Sequence, residues 1–385
     1  MLELKNIGMS FDVKGKLFKK EKKAIVINNL NLTIGDGEII AIVGESGCGK
    51  TTLGKIITGL YRPTSGEMIF NGQSVTKSTI KHQSEYRRSV QFIQQDSYAA
   101  LNPVKTIYDS LSAAIETFDS KIKKEAKDKR IDELMSYVGL TPVELYLHKF
   151  PHQLSGGQRQ RILMARALAM QPKLIVADEP VSMIDVSLRL SILNLIKKLN
   201  SELHISFVYI THDLATAKYI AKNGRICVMY LGDVVELGSI ESVLFNPKHP
   251  YTQALISAIP VPDPTIDTCK RDIPIIGMEM TKLTERKLNC CAFAPRCPYA
   301  CENCRNNEIS YNEVDGVLIG GASLKAEDYI SIAQSTLYST VKSNVYGNRT
   351  QELPEVTNTT VEETKKEEIT PSNNLTIESL ITIEG

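Results

Sequence analysis

Apolar residues at 25, 27, 30, 32 and 34 fall near every second position, the spacing of a strand with one face on a core. This predicts a strand over 24–34, and residues 2–11 read the same way. "EIIAIV" (38–43) is unbroken by polar side chains, as a strand buried on both faces requires. It enters a glycine-rich turn and then a helix from about Lys50 to Leu60. "GEMIF" followed by "NG" (66–72) predicts a strand ending in a turn. From about Asp96 the pattern becomes helical and highly charged, as in "KIKKEAKDKRIDELMSYV", which predicts an inserted helical subdomain over about 96–154. Alternation then resumes: helix 155–169, strand "LIVA", helix 187–202, strand "ISFVYI", a short helix and strand "RICVMYL". Strands alternating with helices predict an α/β fold with a mainly parallel sheet.

This regularity ends near residue 240. A helix over "HPYTQALISAI" (249–259) leads into the proline-rich "PVPDP" and a cysteine-rich stretch. Residues 345–385 are rich in Thr, Glu and Asn with few aromatics, a composition that predicts a disordered tail. "KGKLFKKEKK" (14–23) reads as a solvated basic loop between the first two strands.

Composition narrows the picture. A net charge of +1 over 385 residues gives no global argument for nucleic acid. The apolar runs fall short of the roughly eighteen residues of a spanning helix, and the N-terminus lacks a signal-peptide pattern. A cytosolic chain is expected, joined to a membrane only through a partner. In that reducing compartment the eight cysteines read as metal ligands or packed thiols rather than disulfides.

Three stretches carry chemistry. "GESGCGKTT" (44–52) fits G-x-x-x-x-G-K-[ST] between a buried strand and a helix. Gly44, Gly47 and Gly49 let backbone N–H groups wrap phosphates, Lys50 reaches the β- and γ-phosphates, and Thr51 ligates Mg²⁺. Glu45, Ser46, Cys48 and Thr52 complete the nucleotide-binding loop. "LIVADEP" (174–180) supplies two carboxylates at a strand end: Asp178 for Mg²⁺ and Glu179 as general base toward the attacking water. "YITHDL" (209–214) places His212 just past an apolar strand, on the edge where ligands collect in parallel sheets. A fourth stretch, "LSGGQRQR" (154–161), puts Ser155, Gly156, Gly157 and Gln158 at the start of a helix. That is a second anion-binding arrangement in one chain. Arg159, Arg161 and Arg166 read as surface and ion-pair partners. Pro151 separates His148 from His152, which disfavours a metal site there.

These motifs, in this order and spacing, resemble the nucleotide-binding subunit of an ATP-binding cassette (ABC) transporter over about residues 1–260. The resemblance implies a P-loop NTPase core with N-terminal antiparallel strands, the inserted helical subdomain and a small Cys-rich C-terminal region. It implies that Phe11 stacks on adenine. Gln95, with Gln94 as its neighbour, contacts Mg²⁺ and the attacking water, and Asp185 lies in a loop between subunits. It also implies why one chain has two phosphate sites: the "LSGGQ" of one subunit caps the ATP held by the other.

"QQDSYAALNP", "NPKHPYTQALISAIPVPDP" and "CAFAPRCPYACENC" further resemble the oligopeptide and dipeptide permease branch, and within it the second of two ATPases. The implied unit is residues 1–245, with an extension over 246–335. The implied partners are a homologous ATPase in a heterodimer, two transmembrane permease subunits and, indirectly, an extracytoplasmic binding protein. The implied location is the cytoplasmic face of the membrane. Relatives of this branch also import nickel, metal–opine complexes or sugars; a soluble ABC ATPase of repair or translation is the further alternative. Cys291, Cys297 and Cys304 match the branch's C-x5-C-x6-C spacing, where a [4Fe–4S] cluster is implied, with Cys301 or Cys290 as the fourth thiolate. A four-cysteine zinc site and a structural remnant remain alternative readings.

Overall fold

The computed structural model describes residues 1–13, 22–259, 275–276, 283, 286–288, 290–307 and 309–322. Most of the basic loop, the "PVPDP" stretch, Cys269 and the 345–385 tail lie outside them.

Two sheets organise the chain. The smaller is antiparallel, built from β1 (Leu2–Val13), β2 (Lys22–Ile34), β4 (Ser65–Phe70) and β5 (Gln73–Ser74) in the order β2-β1-β4-β5. The larger takes in β3 (Ile39–Val43), β6 (Val90–Ile93), β7 (Leu174–Asp178), β8 (Ser206–Thr211), β9 (Arg225–Tyr230), β10 (Asp233–Ser239), β11 (Ile309–Val314) and β12 (Val317–Ala322). Its order is β11-β12-β10-β9-β3-β8-β7-β6, parallel from β9 through β6 and antiparallel beyond.

The unbroken apolar strands have a physical reason. Ala41, Val43, Ile175, Ala177, Phe207 and Tyr209 enter one buried cluster. The intervening Ile40, Ile42, Leu174, Val176, Val208 and Ile210 enter another. Period-two side chains thus meet protein on both faces. The second cluster holds the antiparallel sheet and Leu53, Ile56 and Ile57 of α1 (Lys50–Ile57).

The helical insertion forms as expected, with α3 (Ile107–Phe118), α4 (Lys124–Tyr137), α5 (Glu144–Leu147) and a 3₁₀ turn at Pro151–Gln153. Thr106 and Asp109 form a reciprocal capping box that starts α3. The hydrophobic pattern does not predict α2 (Ile80–Ser89) or β6, which is only four residues at the sheet's edge. Nor does the regular fold end near 240. β10 turns back on β9, and the β11–β12 hairpin continues the same sheet. The Cys-rich segment packs into its core through Cys291, Phe293 and Cys304. Among the described residues no helix is long and apolar enough to cross a membrane.

Candidate functional site

Neighbouring parallel strands end together, and that alone gathers the motifs. Val43 pairs with Thr211, and Ile210 with Asp178. The glycine-rich loop follows β3, His212 follows β8, Asp178 ends β7 with Glu179 directly after it, and Gln95 follows β6. All lie along one sheet edge, where α/β folds bind ligands.

The loop's glycines are required by its path. Gly44 has φ +152°, and a Cβ there would stand 2.2 Å from Met229 O; at Gly49, φ is +105° and Val26 O would be 2.7 Å away. Gly49 is the N-cap of α1, so the helix dipole and free N–H groups face the loop. Lys50 is buried and donates through Nζ to Gly44 O (2.7 Å) and Glu45 O (2.9 Å). Cys48, buried beneath it, has its thiol pKa raised by desolvation. A cationic, N–H-rich cradle of this kind binds phosphate.

Burial raises the Asp178 carboxyl above the usual range, while a hydrogen bond with Thr51 pulls it back. A divalent cation would do the same more strongly. The pairing of Asp178 with Thr51 therefore suits Mg²⁺. Glu179 adopts φ +46°, an uncommon backbone for a non-glycine residue, and its N–H donates to Ile210 O (2.9 Å). Gln95 Nε2 donates to its Oε2 at 3.0 Å, and His212 Nδ1 stands 2.9 Å from its Oε1. The three residues named from separate motifs thus form one constellation. Glu179 and His212 line a cleft of about 410 Å³ with Val181, Thr211, Leu255 and Ile259.

Ser155 and Gln158 cap the start of α6 (Gly156–Leu168) reciprocally: Ser155 Oγ accepts from Gln158 N (3.2 Å), and Gln158 Oε1 accepts from Ser155 N (2.9 Å). Gly156 lies against Met183 O and Gly157 against Leu188. Among the described residues, no hydrogen bond or ion pair joins this helix start to the phosphate loop of its own chain. Asp185 is exposed at the N-cap of α7 (Val186–Leu203) and makes no side-chain cap. Phe11 packs edge-on against Tyr61, with centroids 5.9 Å apart.

The α6 arginines correct the sequence reading. They are half-buried and donate to backbone carbonyls, with no ion pair among the described residues: Arg159 to Leu154, Arg161 to Val138, and Arg166 to Ala100 (2.8 Å). Arg159 also lies over the Tyr98 ring at 5.4 Å. These bonds tie the helix to the insertion and to the "SYAALNP" stretch.

Cys291, Cys301 and Cys304 lie near one another. Cys301 and Cys304 Sγ are 3.4 Å apart, and Cys291 N donates to Cys304 O at 2.9 Å. Burial, then the nearby Cys304 and Cys297 thiols, push Cys291 up to about 12. Among the described residues no three His, Cys, Asp or Glu side chains converge to hold a metal ion. Cys290 is buried, its thiol directed at Lys287 O.

Sequence reasoning missed two residues at the cradle. Tyr251, from α10 (Pro250–Ser257), accepts the Glu45 N–H through Oη (2.8 Å), and Arg296 pairs with the Glu45 carboxylate. Both lie in stretches that resemble the permease branch, yet nothing in their pattern points to a residue 206 and 251 positions away.

Comparison with known proteins places this geometry. The ABC transporter family model matches residues 27–182, and that of the oligopeptide/dipeptide transporter C-terminal region matches 235–304. Oligopeptide transport ATP-binding protein OppF of Salmonella typhimurium is 38% identical over 307 residues, 79% of this chain and 90% of that one. The chain belongs to the ABC transporter ATPases of the oligopeptide/dipeptide branch. OppF of Lactococcus lactis subsp. lactis is 43% identical over 266 residues, 69% of this chain and 82% of the relative. A dimeric, post-hydrolysis ATP-binding cassette bound to ADP and Pi superposes with a TM-score of 0.55 at 31% identity, covering 62% of this chain and 99% of that one. As an ABC ATPase the chain binds ATP with Mg²⁺ and hydrolyses it, and dimerisation is consistent with such neighbours.

Proposed function

We propose that the chain powers a peptide importer as one of two homologous ATPases beneath two permease subunits, at the cytoplasmic face of the membrane. An extracytoplasmic binding protein delivers oligopeptides or dipeptides to that assembly. The observation that carries the reading is a capped helix start, Ser155–Gln158, free of bonds to its own chain's cradle. Such a helix start offers N–H groups and dipole to an anion, and in this reading the anion is the γ-phosphate held by the partner ATPase.

Within each half, the loop from Gly44 to Thr52 holds the nucleotide, with Phe11 against adenine. Mg²⁺ would be held by Thr51, Asp178 and Gln95. Glu179 takes the proton of the attacking water, and His212 and Gln95 fix its two oxygens. Asp185 meets the partner at the shared boundary. ATP joins the halves, and loss of the γ-phosphate lets them part. Residues 1–245 form the ATPase unit and 246–335 the branch-specific extension. Four thiols at Cys291, Cys297, Cys301 and Cys304 match the donor number of a [4Fe–4S] cluster; no step above depends on it.

Reconstitution with the permease subunits in vesicles tests the proposal. ATP-driven uptake of labelled peptide, lost in Lys50→Ala, is expected. Vesicles that take up nickel or an oligosaccharide but no peptide overturn the assignment of cargo.

A further inference from the structure

The first residue after Gly44 in the phosphate loop is held from outside the ATPase core. Arg296 sits in "CAFAPRCP", directly before Cys297. Its Nη1 donates to Glu45 Oε2 at 2.9 Å and to Oε1 at 3.2 Å, and its Nη2 donates to Oε1 at 3.1 Å. Only 7% of the Arg296 side chain is exposed. Nη1 also reaches Tyr230 Oη (3.4 Å), and the guanidinium lies 5.8 Å from the rings of both Tyr230 and Phe293. A charge-assisted bond of this kind, with one partner screened from water, is stronger than a surface pair and fixes direction as well as distance.

A second hold acts on the same residue. Tyr251 Oη accepts the Glu45 N–H at 2.8 Å. Its ring packs against those of Tyr230 (4.6 Å) and Phe293 (5.4 Å), and its helix is started by His249, whose Nδ1 accepts from Tyr251 N (3.0 Å). Burial lowers His249 to about 3, so it stays a neutral acceptor. Glu45 in turn shapes the cradle, because its carbonyl accepts from Lys50 Nζ (2.9 Å) and from Cys48 N (3.3 Å).

We propose that Arg296 and Tyr251 of the C-terminal extension are positioning residues of the nucleotide site, holding the phosphate loop through Glu45 in the shape that binds ATP. The extension is then a working wall of the ATP site. Because Arg296 lies between Cys291 and Cys297, displacement of that turn loosens the grip on the nucleotide. The proposal rests on ATP at the cradle and is independent of the cargo.

The test uses the full chain, with Mg·ATP affinity measured by titration, ATPase rate by turnover and stability by thermal melting. Arg296→Ala is expected to weaken ATP binding about tenfold, about 1.4 kcal/mol, with kcat at saturating ATP within twofold of wild type. Arg296→Lys recovers part of the affinity, and Tyr251→Phe loses severalfold. Adding Arg296→Ala to Glu45→Ala costs no further affinity, as expected of one shared contact. Lys248→Ala cuts another tie of the same region, the 2.8 Å bridge to Asp315; it lowers the melting midpoint and leaves ATP affinity within twofold. Wild-type affinity in Arg296→Ala overturns the proposal. So does an equal loss in Lys248→Ala at the same melting shift, or full multiplication of the Glu45 and Arg296 effects. A wild-type chain that binds no ATP instead overturns the ATP assignment on which this rests.

Discussion

His212 Nδ1 and Glu179 Oε1 meet at 2.9 Å, although they come from the ends of different strands. The contact fixes one oxygen of the carboxylate, and Gln95 fixes the other. A carboxylate so held keeps its direction without reorganising, as the general-base role proposed for it requires.

Replacing Glu179 by Gln keeps the side chain's shape but removes the proposed proton acceptor and turns one of its two accepting oxygens into a donor. Turnover should fall by about 10²–10⁴-fold with ATP affinity retained, and the ATP-bound pair should persist in size-exclusion chromatography. A variant that separates as readily as wild type in the presence of ATP argues against the shared site.

Ser155→Arg should uncouple binding from hydrolysis. Among the described residues the cap of α6 makes no hydrogen bond or ion pair with its own cradle, so nucleotide affinity of the isolated chain should stay within twofold. ATPase activity should be lost, and ATP should no longer bring subunits together. Equilibrium binding and sedimentation separate the two effects.

Wild-type ATPase activity should also depend on protein concentration. If the signature of one subunit completes the cradle of another, specific activity falls as dilution separates the subunits. A constant specific rate across the dilution series contradicts this.

Glu236 supplies a pH prediction. Burial pushes its carboxyl up to about 7 although it accepts the N–H groups of Lys248 (2.9 Å) and His249 (3.1 Å). A carboxyl with a raised folded-state pKa binds its proton more tightly when folded. Its contribution is therefore complete below the ordinary glutamate range and is lost as pH rises through about 7. The melting midpoint should fall between pH 5 and pH 8, and Glu236→Gln should flatten that slope. An unchanged slope assigns the dependence to another group.

The nucleotide site was legible because its chemistry is local. A cradle needs glycines and a lysine within nine residues, and the acids follow directly on an apolar strand. Parallel strand order then brings His212 to Glu179, whereas Gln95, which follows the unpredicted β6, was named only through the family resemblance. The contacts of Arg296, Tyr251 and the α6 arginines were not legible, because long-range polar contacts leave no periodicity. The short strand β6 and the β11–β12 hairpin escaped for a related reason: four to six residues give too few alternations to tell a strand from a loop.

The hairpin at the sheet's margin has a practical consequence for anyone shortening the chain. β12 pairs with β10 through Glu236–Ile319 and Leu237–Leu318, so a version truncated after Cys304 would lose that cover. It would leave unsatisfied amides and carbonyls on an apolar ribbon, the template on which separate molecules stick together. Such a truncation should precipitate even with every ATP-binding residue intact.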